Sequence, residues 1–138
     1  MRRLLLVLST AALLAAVGVG TAAAAAPTFR LTILHYVKGC HVWQSGSRVV
    51  GPAATVVLKR GTRLEIRASC PMDFDVRHVR GPKLAGASGR VTAGMTYAIA
   101  FPKPGVYKVM AKNVQTSDEV GLETLGEDNT LALTVVVR

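Results

Sequence analysis

The sequence predicts an all-β chain, an antiparallel β-sandwich, on three observations. Short runs of alternating or β-branched apolar residues recur along it. Glycine- and proline-containing turn signals separate the runs at strand-like spacing. No amphipathic helix of ten residues or more follows the N-terminal segment. Seven or so strands at this spacing need two sheets that bury their inward faces against each other.

The first residues read as an export signal. Met1-Arg2-Arg3 is a short positive region, Leu4 to Gly20 is apolar and uncharged, and Thr21 to Ala26 offers small-residue cleavage sites before Pro27. The alternative is an uncleaved anchor, because the apolar run is long enough to span a bilayer. We expect cleavage, with residues 1–25 as the signal peptide and residues 26–138 as one domain without a transmembrane helix. The protein is then secreted or extracytoplasmic, where disulfides form.

Along residues 26–138, Phe29, Leu31, Ile33, His35 and Val37 share one phase of a period-2 pattern. Ala54 to Leu58 is a second apolar run, and Leu64, Ile66 and Ala68 alternate with Arg63, Glu65 and Arg67. Phe74 to Arg80 is a strand of unclear phase. Tyr97, Ile99 and Phe101 share a face before Pro102-Lys103-Pro104-Gly105; Val106 to Ala111 follows, and Thr130 to Val137 closes the chain. The Pro104-Gly105-Val106-Tyr107 turn feeds its strand through a tyrosine whose ring can pack at the sandwich corner while its hydroxyl bonds a backbone group.

The formal charge is +9, or +7 without Arg2 and Arg3. From Arg30 to Lys112 there are fourteen Lys or Arg against three acids, Glu65, Asp73 and Asp75; from Asp118 to Asp128 there are five acids and no base. A basic body with one acidic segment suits an anionic cell-envelope component as partner. Nucleic acid is not expected for an exported chain with few aromatics and no recognisable module.

Chemistry concentrates in His35-Tyr36-Val37-Lys38-Gly39-Cys40-His41, which holds two of the three histidines and one of the two cysteines. Imidazole and thiolate are the ligands that copper and zinc prefer. The competing reading is a Cys40–Cys70 disulfide, which an even cysteine count in an exported chain favours and which would contribute roughly 3–4 kcal/mol by closing its loop. An enzyme is not expected: no nucleophile elbow, phosphate-cradling glycine loop or Cys-x-x-Cys pair is present.

Leu58-Lys59-Arg60-Gly61-Thr62-Arg63-Leu64-Glu65-Ile66, then Phe101-x-x-Pro104-Gly105-x-Tyr107, then Leu131 to Val137, resemble in this order the cupredoxin family. Lys38-Gly39-Cys40-His41-x-Trp43, with Leu125-Gly126-Glu127-Asp128-Asn129 before the last strand, is similar to a group of secreted bacterial cupredoxin-like proteins. The resemblance covers most of residues 28–138. It implies a Greek-key sandwich; an immunoglobulin-like sandwich is the alternative. It also implies copper binding, for copper handling or electron transfer. The departures are specific. The family's copper cysteine falls closest to Ala111, and Asn113 to Gly126 has no Cys, His or Met. Phe74 stands where the narrower group reads His in Met-Pro-His. A copper site would therefore be non-standard, built from His35, Cys40 and His41 with Met72 or His78. With Cys40 oxidised, the histidines would be joined by Met72 or a carboxylate such as Asp73 or Asp75. The other reading is a metal-free extracytoplasmic binding module, its disulfide holding the sandwich end and its basic face docking to the envelope.

Overall fold

The computed structural model describes residues 24–36, 41–86, 88–114 and 130–138. The N-terminal apolar segment, Cys40 and the acidic segment 118–128 lie outside the described residues. No helix among those described is long and apolar enough to cross a membrane.

Among the described residues, ten strands make two five-stranded sheets: β1 (Thr28–His35), β2 (His41–Ser45), β3 (Arg48–Gly51), β4 (Ala53–Leu58), β5 (Arg63–Ala68), β6 (Asp73–Arg80), β7 (Gly89–Val91), β8 (Thr96–Ala100), β9 (Gly105–Val114) and β10 (Thr130–Val137). One sheet has the order β3-β2-β1-β5-β8 and the other β4-β10-β9-β6-β7. The all-β sandwich expected from the sequence is therefore the fold. Within it, two pairings are parallel rather than antiparallel: β1 with β5, and β10 with β4. The chain changes sheets between β4 and β5 and between β3 and β4, so strands that meet across such a crossover run the same way.

The burial follows the period-2 pattern. Leu31 and Ile33 of β1, Leu64, Ile66 and Ala68 of β5, Phe74 and Val76 of β6, Tyr107, Val109 and Ala111 of β9, and Leu131, Leu133, Val135 and Val137 of β10 form the core between the sheets. Among the described residues, the buried apolar side chains lie between Leu31 and Val137.

Two polar anchors fix the layers. Trp43 of β2 is fully buried and its Nε1 donates to the Ala132 carbonyl of β10, 3.0 Å away in the opposite sheet. Tyr107 is fully buried at the corner, as its turn led us to expect, and its hydroxyl donates to the Lys103 carbonyl at 2.6 Å. Gly81 permits close passage here: a Cβ on it would lie 2.5 Å from the Val106 oxygen, and its φ of +121° is left-handed. At the far edge the Tyr97 hydroxyl donates to the Gly86 carbonyl, and burial raises its pKa above the usual tyrosine value.

Trp43→Phe removes the donor to Ala132 and opens a cavity, so urea unfolding should show a loss of about 2–4 kcal/mol. Tyr107→Phe keeps the ring and should cost only about 1–2 kcal/mol. Equal losses would show that the inter-sheet bond is not an anchor.

Candidate metal centre

The β1–β2 register pairs Ile33 with Trp43 and His35 with His41. Ile33 and Trp43 point into the core. Side chains two residues along a strand share a face, so His35 and His41 share that inward face one step nearer its end. Their ring centroids lie 5.3 Å apart, with planes at 77°. The two differ in setting. His41 is buried (1 % exposed), because the facing sheet covers it: its ring meets Phe74 of β6 edge to face at 5.0 Å. His35 is at the mouth of the sandwich and exposed.

The β5–β6 connection lies against the same end. Ser69 donates to the Ile33 carbonyl from both its backbone N and its Oγ, each at 3.0 Å. This holds Cys70, Pro71 and Met72 beside His35. Leu34, His35, Ser69, Cys70, Pro71 and Met72 line one open hollow of about 340 Å³. Met72 and Cys70 are both buried.

The sequence-derived residues divide accordingly. His35, His41 and Met72 come together at one pole. Cys40, next to His41 in sequence, lies outside the described residues, so the Cys40–Cys70 pairing does too. His78 shares the inward phase of Phe74 and Val76 but sits five residues past Asp73, some 17 Å along the strand at about 3.3 Å per residue. Its ring lies 6.0 Å from that of Tyr107, and its Nε2 is buried with no hydrogen-bond partner among the described residues. It belongs to the opposite half of the sandwich. Asp75 faces outward, bound by Arg90 Nε at 3.1 Å and Arg77 Nη2 at 3.6 Å, and Asp73 shares its phase.

Asn113 had no place in the sequence reading. It pairs with Phe74 across β6 and β9, points inward, and is buried with its Nδ2 lacking a partner among the described residues. The alternation Tyr107, Val109, Ala111, Asn113 carries that signal in the sequence. Ala111, where the resemblance places a copper cysteine, is fully buried and opposite Val76 and Leu131.

A metal held by two imidazoles at about 2.0–2.1 Å lies roughly 3 Å from each ring centre, so the centres stand about 4.5–6 Å apart. The His35–His41 spacing fits that requirement. Met72 adds a thioether at the same end, a donor that suits Cu(I). Among the described residues, however, no three His, Cys, Asp or Glu side chains group to hold a metal ion.

No family model matches the chain, and no curated protein matches it. Solved structures do. Amicyanin from Paracoccus versutus is 15 % identical with a TM-score of 0.42, covering 86 % of this chain and 86 % of its own. Pseudoazurin from Methylobacterium extorquens AM1 is 19 % identical with a TM-score of 0.41, covering 80 % of this chain and 74 % of its own. A cysteine protease inhibitor from Entamoeba histolytica is 14 % identical with a TM-score of 0.44, covering 81 % and 96 %. These are likenesses of fold, and the donor set is read from this chain's own residues.

The different settings of the two histidines have a measurable consequence. His41→Ala empties a buried site between His35 and Phe74 and should cost about 2–4 kcal/mol in urea unfolding. His35→Ala, at the exposed mouth, should stay within about 0.5 kcal/mol. A large loss for both would show that His35 is a structural residue.

Proposed function

We propose that this is an exported, non-enzymatic copper-binding protein of cupredoxin-like fold. It holds the ion at the His35–His41 pole, with Met72 as a sulfur donor and Cys40 as a further one when reduced. The observation that carries the reading is the cross-strand imidazole pair, 5.3 Å between centroids, beside the Met72 side of the hollow. Two imidazoles with thioether sulfur favour Cu(I) over harder ions. The ion would supply redox or ligand-exchange chemistry; the protein supplies one buried imidazole, His41, and one exposed imidazole, His35. An exposed ligand can be exchanged by an incoming donor, so copper handling is favoured over electron transfer.

A metal-free binding module is the second reading. It is favoured by the apolar residues Phe74 and Ala111, fully buried where the resemblance implies copper ligands.

Titration of residues 26–138 with Cu(I) against a chromogenic chelator decides between them, run on reduced and oxidised protein with thiols counted by mass. One equivalent should bind, and His35→Ala, which leaves the fold intact, should weaken binding at least about tenfold. Absence of stoichiometric binding in both redox states would favour the metal-free module. Phe74→His places a third imidazole beside His41 and should tighten binding.

A further inference from the structure

The end of the sandwich opposite the histidines carries its own surface. The Lys59–Thr62 turn, the Pro102–Gly105 turn, the Gly81–Pro82 turn and the start of β1 meet there. Arg60 N donates to Arg138 O at 2.8 Å, Gly61 N to Phe101 O at 3.2 Å, Arg63 N to Pro27 O at 2.8 Å, and Arg60 Nε to Pro102 O at 3.0 Å. A Cβ on Gly105 would lie 2.8 Å from Pro82 Cγ, so these two turns touch. Lys59, Arg60, Arg80, Lys83 and Lys103 are all exposed around this end.

The acids are elsewhere. Glu65 is held by Arg30 at 3.0 Å and Arg63 at 3.7 Å, Asp75 is bound by Arg77 and Arg90, and Asp73 opens β6 at the histidine end. Among the described residues, no Asp or Glu side chain pairs with these five cations.

An apolar row adjoins them. Val136 of β10 pairs with Val57 of β4 on one side and Val106 of β9 on the other. All three alternate with buried residues and so face outward. Val57 is 57 % and Val106 52 % exposed, and Val79 of β6 adds a further 57 %-exposed side chain. Aliphatic side chains bordered by lysine and arginine suit the boundary between lipid headgroups and acyl chains, where cations meet phosphates and apolar tips enter below them. A soluble polyanion would use the cations and leave the valines in water.

We propose that this cationic end, with the Val57–Val136–Val106 row, docks on an anionic phospholipid bilayer. The ten residues of β9 separate it from the histidine pole, a span of about 33 Å, so docking turns the histidines toward the aqueous phase. This inference does not depend on metal binding.

The test is sedimentation of residues 26–138 with phosphatidylglycerol–phosphatidylcholine vesicles and with phosphatidylcholine alone. The protein should partition onto the anionic vesicles and not the neutral ones. Lys59→Glu with Lys103→Glu should lower partitioning at least about tenfold. Val57→Ser with Val106→Ser should lower it several-fold. Arg67→Glu with Lys112→Glu makes the same charge change nearer the histidine end and should leave it within about threefold. Circular dichroism checks that each variant is folded. Three results would overturn the proposal: no binding to anionic vesicles, equal losses from the two charge reversals, or valine-insensitive binding matched by soluble polyphosphate.

Discussion

The parallel pairing of β1 with β5 decides where the chemistry of this chain sits. β1 is the shared strand: β2 lies antiparallel on one side and β5 parallel on the other. Both β1 and β5 therefore finish at the same end. His35 closes β1, His41 opens β2 opposite it, and the Ser69–Met72 connection leaves β5 beside them. An antiparallel β5 would carry Cys70 and Met72 to the far end, and the two sulfur-bearing positions would be lost to the histidines. The two hydrogen bonds from Ser69 to Ile33 O fasten this arrangement at the point where regular pairing stops.

The facing sheet completes the pole in a way that departs from a blue-copper protein. Phe74 and Ala111 are buried where the resemblance implies ligands, and Phe74 packs its ring against His41. Aromatic edge-to-face contact with Phe74 helps to orient the buried imidazole. One histidine is thereby buried against the facing sheet and the other left at the surface. A metal site of the kind proposed would have a fixed half and an exchangeable half.

Much of this was legible in the sequence, and the misses have physical causes. β1, β4, β5, β8, β9 and β10 show as alternating or apolar runs, and the shared phase of Ile33 and His35 points the histidine at the sandwich mouth. β2 is harder to read, because His41, Val42 and Trp43 are buried in succession and the alternation is lost. The three residues of β7 are too few for any period. The phase of β6 is obscured by charges at Asp75, Arg77 and Arg80, and the register shift between His78 and Arg80 interrupts it further. His78 therefore looks like a neighbour of Met72 in sequence and lies against Tyr107 in space. Strand direction is settled by crossovers between sheets, which no local pattern encodes.

The two ends of the sandwich place opposite demands on one rigid body. At one end buried aromatic and sulfur side chains lie beside the imidazoles; at the other, turns held by backbone hydrogen bonds display cations that pair with no Asp or Glu side chain among the described residues. Like charges gathered in this way repel one another and disfavour the compact state. They are tolerable because Lys59, Arg60 and Lys103 sit on turns whose carbonyls accept hydrogen bonds: Lys59 O from Thr62 N, Pro102 O from Arg60 Nε and Lys103 O from Tyr107. Those bonds fix the backbone and leave the side chains in water, where screening limits the repulsion. β9 and β10 run the length of the molecule between the ends and are paired along eight residue positions. Anything that orients the cationic end therefore orients the histidines as well, with no hinge between them to absorb the turn.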